Sequence, residues 1–593
     1  MVTFGIVSLF QAWILPGFLF LLFFKKIKIF DAIVLSIPLS LVLNYILVYN
    51  LVLLKIYNQN FLIVIILIEL ILIILLLIKN YNFKRLLNEI DNFFSFKKNF
   101  KTINVELSLI NIIVLLLFII YSFYALNNLG QPVHDGDPLD MWNSWALSWS
   151  KNEIPLGVEY PQAVPILYSI SYVLISNYEV EYFTSAVCLI YPIWIFVTFF
   201  RLIYLFPEKK LLIKMTLVIT TFFLLSILRN YTLFIGFSDP ILVSVTLSSC
   251  FIFLFFFFTN QNYDLNHFNF KQIILISLVA SSPAITKQMG LLVSFLFPVF
   301  FLIIHHFKKK YFKNFFLMGV IIFFISLSWY FFPIYEYFLL NFDPTETYFG
   351  KLSSDSMSKF QNTSMISKLN FGLEYLFWKF KYLILFFVLL AINNKYASLV
   401  LFLIVIPYFC IWSLFFVVDN RNFVMISPFL GFILSIGINN FLKILSLFNI
   451  KFIKSSKLIL IAIFTFLFFF ILKEIKNEEK LIFKSIEDKK LRGFPETNIL
   501  LYHYLKNSDK EYDIITVSAN VFKFLPDIGH RFVRSGCEEF INLIDNKYKD
   551  KNYYLLLNKD YCELDNLYKD RLSSLKIENI FGNKKHDFYL ITN

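Results

Sequence analysis

The residues best suited to chemistry lie in one polar stretch, residues 134–165, between long apolar runs. It contains three closely spaced acids, Asp135, Asp137 and Asp140. A carboxylate can act as a general base that takes the proton from an attacking hydroxyl. A D-G-D-P string is also a good turn sequence, and acids in an exposed loop are commonly only solvated. We take Asp140 and Asp137 as the leading candidate bases, without a choice between them, and Asp135 as the third.

Aromatic residues follow these acids directly. Trp142, Trp145 and Trp149 are spaced by three and four residues, which predicts one shared helical face. That face suits either an aromatic belt at a membrane interface or a wall against a substrate. Trp142 and Trp145 are therefore candidate substrate-binding residues.

Cations elsewhere in the chain could complement the acids. Lys287 lies in a break between apolar segments, and Arg421 lies beside an apolar segment. In a group transfer, negative charge grows on the leaving group, so both cations are candidate contacts for a leaving group such as a phosphate. Lys287 could instead be an interfacial lysine that reaches toward water, and Arg421 could pair with Asp419. Asp239 is a candidate substrate-binding residue, or a cap of the helix that follows it.

The sequence offers little evidence for a metal site. Asp135 and Asp137 could hold a divalent cation through two carboxylates, but two acids without further ligands are too few to predict a site. We therefore predict no metal ligand, and a divalent cation remains an open cofactor.

Composition identifies the class of protein. Over 593 residues, 58% are hydrophobic and 16% are charged, and the mean hydropathy is +0.67. These values are typical of a polytopic membrane protein rather than a soluble domain. The net charge is +13, but residues 474–593 carry 20 basic and 20 acidic side chains, so the excess lies in the membrane part. Basic membrane loops are topology signals, and no nucleic-acid partner is predicted.

Apolar runs of about 17–25 residues can cross a bilayer. On this measure the sequence predicts about 14 transmembrane helices, near 4–24, 31–51, 60–78, 108–128, 184–205, 212–229, 238–259, two short helices within 272–305, 314–333, 376–392, 397–418, 423–441 and 457–473. Between them, YPQAVPILYSISYVLIS is short and begins at prolines, which favours an interfacial or juxtamembrane helix.

The distribution of basic residues predicts the orientation. The first and third connections are rich in lysine, whereas the second has only Lys55, so both termini and the loop at 129–183 are expected outside the cytoplasm. The expected domains are N-terminal transmembrane helices (1–107), a catalytic transmembrane module (108–473) with outer loops at 129–183 and 336–373, and an extracytoplasmic α/β domain (474–593). We expect the second of these loops to be mobile.

Five short motifs resemble elements of the GT-C membrane glycosyltransferases, the protein O-mannosyltransferase and aminoarabinose-transferase kind. They are Asp140-Met141-Trp142-Asn143-Ser144-Trp145, Tyr160-Pro161-Gln162-Ala163-Val164-Pro165, Gly236-Phe237-Ser238-Asp239-Pro240, Thr286-Lys287-Gln288-Met289-Gly290, and Arg421-Asn422-Phe423 with Pro428. They occur in the family's order, within residues 108–441. One departure is Gln162, which stands where a second proline is common in the family.

The resemblance implies a GT-C-like fold in the cytoplasmic membrane, with its active site on the outer face. It also implies an inverting transfer of a sugar from a polyprenyl-phosphate donor to a glycolipid or glycan acceptor. On this interpretation the acidic loop carries the base, Lys287 and Arg421 face the lipid phosphate, and Tyr160 is a further candidate substrate-binding residue. The expected partners are the donor, the acceptor and membrane lipid.

Two other functions are open. A ligase or polymerase acting on lipid-linked glycans would be expected to have several arginines in a large outer loop, and residues 336–373 have none. A lipid or glycan transporter would be expected to carry several charged residues in the middle of its helices and a pseudo-repeat. The sequence has only one clear acid in the middle of a predicted span, Glu69.

Overall fold

The computed structural model describes most of the apolar part of the chain and the elements of its tail. The described residues are 1–24, 27–80, 109–129, 138–155, 160–177, 182–234, 236–258, 270–304, 309–331, 364–377, 381–415, 420–447, 500–501, 504–505, 507–508, 512–517, 532–535, 540–549, 551–559, 576–582 and 586–592. Two compact units are formed: Met1–Gln131 with Ser148–Glu479, and Pro132–Leu147 with Lys480–Asn593.

The described residues are mostly helical, and most of the helices lie in the first unit. In chain order the α-helices are α1 (Val2–Trp13), α2 (Leu15–Leu22), α3 (Ile29–Leu53), α4 (Gln59–Asn80), α5 (Leu109–Asn128), α6 (Ser144–Ser150), α7 (Ala163–Ile175), α8 (Tyr182–Ala186), α9 (Ile190–Leu205), α10 (Lys210–Phe234), α11 (Ser238–Phe258), α12 (Phe270–Thr286), α13 (Gly290–Ile304), α14 (Phe312–Leu327), α15 (Met365–Phe377), α16 (Lys381–Ala391), α17 (Lys395–Val400), α18 (Ile406–Phe415), α19 (Ser427–Leu447) and α20 (Phe540–Leu543). Among the described residues, seven helical segments are long and apolar enough to cross a membrane, and α1 with α2 would make an eighth. The chain is thus a polytopic helical membrane protein, as predicted.

The first predicted span is not one straight helix. It bends by 48° between α1 and α2, and Pro16 lies in the first turn of α2. Proline lacks the N–H that a continuous helix would use there, so the bend falls at this point. The bend brings α2 against α3 so closely that a Cβ on Gly17 would lie 2.1 Å from the carbonyl oxygen of Ser36.

A polar cluster joins three N-terminal helices inside the apolar interior. Gln11 of α1 donates to the Asn44 carboxamide of α3 over 3.1 Å and to the Glu69 carboxyl of α4 over 3.5 Å. Asn44 donates back to the carbonyl oxygen of Gln11 over 2.8 Å. Buried polar groups of this kind must find partners, so Glu69 connects α4 to its neighbours in the same unit.

Residues 270–304 form two short helices, as the sequence predicts. The chain breaks between α12 and α13, where Gly290 donates its N–H to the carbonyl oxygen of Lys287 over 2.8 Å. A Cβ on Gly290 would lie 2.0 Å from the carbonyl oxygen of Pro283. Only glycine allows the two backbones to approach so closely, which explains why the break occurs at this residue.

Two local expectations are corrected. All thirteen residues of α7 are buried, and the helix packs on α1 and α3. It therefore lies in the core of the unit and not at its interfacial surface. The loop predicted at 336–373 is helical in its last part, since α15 begins at Met365, and residues 336–363 lie outside the described part of the chain.

The tail contains a mixed five-stranded sheet. Its strands are β1 (Ile514–Val517), β2 (Phe532–Ser535), β3 (Tyr553–Asn558), β4 (Lys576–Gly582) and β5 (His586–Thr592), in the order β2-β1-β3-β5-β4. β1 is parallel to β2 and β3, whereas β5 is antiparallel to β3 and β4. Alternate residues of β3 contribute to two apolar clusters, so both faces of the sheet are covered. The predicted α/β character of the tail is confirmed.

Candidate functional site

Four residues at the start of α11, Gly236, Phe237, Ser238 and Asp239, form the centre of the candidate site, and we call them the GFSD turn. Gly236 has a φ of 104°, a backbone conformation that residues with a side chain rarely adopt. α11 begins at Ser238 and has Asp239 in its first turn. A carboxylate in the first turn of a helix interacts favourably with the unsatisfied N–H groups there.

Asp239 pairs with Lys287 in the protein interior. The Lys287 ammonium donates to Oδ1 of Asp239 over 2.7 Å, and the two side chains are 5% and 2% exposed. Lys287 follows the last residue of α12, so the cation lies at a helix C-terminus and its partner at a helix N-terminus. Both positions suit the helix dipoles. The structure therefore unites two motifs that lie 48 residues apart, and Lys287 does not reach toward the surface as a snorkelling lysine would.

A second cation contacts the same turn. The guanidinium carbon of Arg421 lies 5.0 Å from the ring centroid of Phe237, within the range of a cation–π interaction. Arg421 is partly exposed and belongs to a 3₁₀ segment, Asn420–Ile426. Stacking uses the face of a guanidinium, whereas its five N–H donors lie in its plane and suit a phosphate or carboxylate. The alternative partner, Asp419, lies outside the described residues.

The residues that follow Arg421, Asn422 and Phe423, are fixed by contacts with α18. Phe423 packs against the rings of Phe409 and Trp412, at centroid distances of 6.0 and 5.3 Å. The hydroxyl of Tyr408 donates to the carbonyl oxygen of Asn422. These contacts fix the backbone on both sides of position 422 and so restrict where the Arg421 side chain begins.

Of the three candidate bases, only the backbone of Asp140 is described. It lies in a π-helical turn, Pro138–Asn143, that leads into α6, whereas Asp135 and Asp137 lie outside the described residues. Trp142 and Trp145 belong, like Asp140, to the second unit and are 3% and 8% exposed. Their rings meet edge to face at 5.3 Å. The two candidate substrate-binding tryptophans thus pack against each other and leave little of either ring exposed.

Trp149 belongs to the other unit and is fully buried there. Its indole N–H donates to Oε1 of Gln162 over 3.0 Å, and Nε2 of Gln162 donates to the carbonyl oxygen of Tyr160 over 2.8 Å. Gln162, a departure from the family's motif, therefore connects the aromatic helix to the Tyr-Pro segment. Tyr160, a candidate substrate-binding residue, is 8% exposed.

Sequence reasoning missed one residue at the GFSD turn. The hydroxyl of Tyr168, on α7, donates to the carbonyl oxygen of Gly236 over 2.9 Å. A tyrosine in an apolar run gives no signal of such a bond, because the sequence around it does not show which group, if any, packing brings to its hydroxyl. The signal that could have helped is Gly236 itself, since a glycine before a helix indicates a special backbone conformation.

Among the described residues, no group of three or more histidine, cysteine or acidic side chains could hold a metal ion. Asp135 and Asp137 are not among the described residues, so a divalent cation at these acids stays a prediction.

No family model matches the sequence, and no curated protein matches it. Among solved structures, the chain is similar to ArnT from Cupriavidus metallidurans in the apo state, an aminoarabinose transferase with a GT-C fold. The identity is 10%, the TM-score is 0.48, and the match covers 80% of this chain and 97% of that chain.

Proposed function

We propose that the protein is an inverting glycosyltransferase of the GT-C type that acts at the outer face of the cytoplasmic membrane. It would move a sugar from a polyprenyl-phosphate donor to a glycolipid or glycan acceptor. Asp140 or Asp137 would be the base, Asp135 a further candidate, and Arg421 with Lys287 would bind the donor phosphate. Trp142, Trp145, Tyr160 and Asp239 would line or support the substrate site.

One observation carries this proposal: the GFSD turn meets both candidate phosphate-binding cations. Lys287 reaches it through Asp239, and Arg421 stacks on Phe237. Three motifs that were selected for their resemblance to one family, far apart in the sequence, thus share one small region. A structural lysine or arginine in an unrelated membrane protein would not be expected to converge with these motifs.

The chemistry assigns each group a task. The acceptor hydroxyl oxygen would form a bond to the anomeric carbon while the bond from that carbon to the phosphate oxygen breaks. The electron pair of that bond stays on the phosphate, and the proton of the hydroxyl goes to the aspartate. Negative charge grows on the departing phosphate, where fixed cations stabilise the transition state more than the ground state. An ammonium has three N–H donors, so Lys287 could keep Asp239 and still donate elsewhere.

The test uses the purified protein in nanodiscs with undecaprenyl phosphates that carry mannose, glucose or 4-amino-4-deoxyarabinose. The measured quantity is release of undecaprenyl phosphate in the presence of an extract of outer-face glycolipids. We expect Asp137→Asn or Asp140→Asn, or the double variant, to lower the rate by about 10²–10⁴-fold, the usual contribution of a general base. Wild-type rates in both single variants and in the double variant would refute the proposed base.

Two further assays separate the alternatives, one with diphosphate-linked donors in the nanodiscs and one with the protein reconstituted into lipid vesicles. A glycan ligase or polymerase would use diphosphate-linked oligosaccharides and leave the monophosphate donors untouched. A transporter would move a fluorescent lipid across the vesicle membrane without releasing the sugar. Either result, together with no release from the three monophosphate donors, would contradict the proposed transferase.

A further inference from the structure

Tyr168 is a buried residue on α7 that bonds to the centre of the candidate site. Its side chain is fully buried, and its hydroxyl lies 2.9 Å from the carbonyl oxygen of Gly236. α7 itself is packed on α1 and α3 along buried residues, so the ring has a rigid support. A hydrogen bond from a supported side chain can restrict the peptide group that accepts it.

The carbonyl oxygen that Tyr168 contacts belongs to Gly236, which directly precedes the rest of the GFSD turn. Gly236 has a φ of 104°, and the next peptide leads to Phe237 and the start of α11. Glycine has no Cβ to restrict its backbone, so this residue alone would allow the turn several conformations. The hydroxyl of Tyr168 supplies a restraint that glycine lacks.

Two side chains of the GFSD turn contact the candidate cations. Phe237 presents its ring to Arg421, and Asp239 presents its carboxylate to Lys287. The two cations come from separate elements, the break after α12 and the 3₁₀ segment at 420–426, and the turn contacts both. A change in the peptide plane at Gly236 would therefore shift the supports of both cations together.

We propose that Tyr168 is a positioning residue, whose hydroxyl fixes the GFSD turn so that Arg421 and Lys287 are aligned toward the donor phosphate. This inference rests on the proposed function for the identity of the ligand, a polyprenyl phosphate. Tyr168 acts through the Gly236 carbonyl and does not touch the substrate.

The alternative is that Tyr168 only fills space, and Tyr191 offers a matched control. Tyr191 is also fully buried, yet its hydroxyl has no hydrogen-bond partner within the described part of the chain. Phenylalanine at either position removes one hydroxyl and keeps the ring. A space-filling role predicts similar effects of the two changes, whereas a positioning role predicts an effect of Tyr168→Phe alone.

The first measurement does not need catalysis. Ser238 is 1% exposed and its hydroxyl has no partner among the described residues, so Ser238→Cys places a thiol in the turn without the loss of a hydrogen bond. We expect N-ethylmaleimide, with the labelled residue identified by mass spectrometry, to modify Cys at position 238 about threefold to tenfold faster when Tyr168→Phe is added. That range corresponds to the loss of one net hydrogen bond. Tyr191→Phe should leave the rate unchanged.

The second measurement is the kinetics of donor turnover in the variants without the added cysteine. Tyr168→Phe should lower kcat about threefold to tenfold and change the KM of the donor less, because charge on the phosphate grows toward the transition state. Tyr191→Phe should leave both constants unchanged. Thermal unfolding of each variant measures any general loss of stability. Such a loss would lower the fraction of folded protein but would leave kcat per folded molecule unchanged.

The outcomes are distinguishable. Unchanged labelling and unchanged kcat in Tyr168→Phe would overturn the positioning role while the transferase proposal stands. Equal effects of Tyr168→Phe and Tyr191→Phe would also overturn it. A wild-type protein that neither releases nor binds undecaprenyl phosphate would overturn the proposed function, and faster labelling in Tyr168→Phe would then still support the restraint on the turn.

Discussion

At the scale of single residues, the apolar part of this protein contains buried ion pairs with well-defined geometry. Arg201 contacts Asp31 through two bonds of 2.6 and 2.9 Å, and Lys287 contacts Asp239 over 2.7 Å. Each aspartate lies in the first turn of a helix. Burial of a charge is costly unless a partner compensates it, so each pair strongly constrains the helices that carry it.

Removal of one member of the Asp239–Lys287 pair should be more harmful than removal of both. Asp239→Asn leaves the Lys287 ammonium buried without its counter-charge, which should cost about 3–5 kcal/mol of stability. The double variant Asp239→Asn with Lys287→Met should recover most of that loss. Thermal unfolding of the purified protein measures both, with the exposed Glu153→Gln as the control for loss of an acid. Equal stability of the single and double variants would contradict the pairing.

Arg421 should be sensitive to shape as well as charge. Arg421→Gln removes the cation and should lower donor turnover by about 10²–10³-fold, as loss of one transition-state donor does. Arg421→Lys keeps the charge but loses the planar group that stacks on Phe237 and that would bind the proposed phosphate through two parallel bonds, so an intermediate loss is expected. Lys368→Gln controls for loss of a cation elsewhere on the predicted outer face. The assignment fails if Arg421→Gln and Lys368→Gln have the same rate.

At the scale of elements, the break between α12 and α13 places Lys287. In a continuous helix through 270–304, Lys287 would lie in mid-helix, away from the unsatisfied carbonyl groups of a helix C-terminus. The break instead exposes backbone groups at the end of α12, and a cation there interacts favourably with unsatisfied carbonyl groups. Discontinuous helices of this kind are tolerated in membranes where protein surrounds them.

Gly290→Ala should disrupt this break. The new Cβ would lie 2.0 Å from the carbonyl oxygen of Pro283, so the backbone of α12 or α13 must shift. We expect a loss of stability of roughly 1–3 kcal/mol, typical of overpacking, and a loss of donor turnover because Lys287 moves with the break. Gly319→Ala is the matched control, since a Cβ there has no atom of the described residues within 4 Å apart from the backbone of its own helix. It should be neutral or slightly stabilising, because alanine favours helix more than glycine does. Thermal unfolding and turnover that do not distinguish the two variants would refute the role of Gly290.

At the scale of the whole molecule, the described structure establishes a polytopic helical unit and a small α/β unit, while orientation remains a prediction from charge. The basic connections favour a cytoplasmic position for residues 207–210 and an outer position for the loop at 129–183. The proposed chemistry requires the second position, since the acidic stretch belongs to that loop.

Residue-specific labelling tests this orientation. Glu153 and Glu208 are both exposed and lie in the loops predicted on opposite sides. A membrane-impermeant maleimide should modify Glu153→Cys in intact cells, whereas Glu208→Cys should react only after the membrane is disrupted. The parent chain without either substitution reports the background from its own cysteines. The reverse pattern would place the acidic loop in the cytoplasm and would contradict the proposed outer-face reaction.

Much of the architecture follows from the sequence alone. Apolar length predicted the membrane spans and the two short helices within 272–305, and the residue types of the tail predicted its α/β character. These features depend on local chemistry: the thickness of a bilayer sets the length of a span, and β-branched and aromatic residues favour strands. The same local information could not show that α7 is buried, since an apolar run suits a membrane interface and a protein core equally.

Only the tertiary structure decided which polar groups meet. From the sequence, Lys287 was a phosphate contact or a surface lysine, and Asp239 was a substrate contact or a helix cap; the structure makes them partners across 48 residues. It also brings Tyr168 to Gly236 and Gln162 to Trp149. Such contacts depend on how helices pack, and the packing of many apolar side chains is not encoded in the short pattern around any one residue. Residue type determined which groups could carry charge or donate a hydrogen bond. Only the packing of the helices determined which partner each group meets.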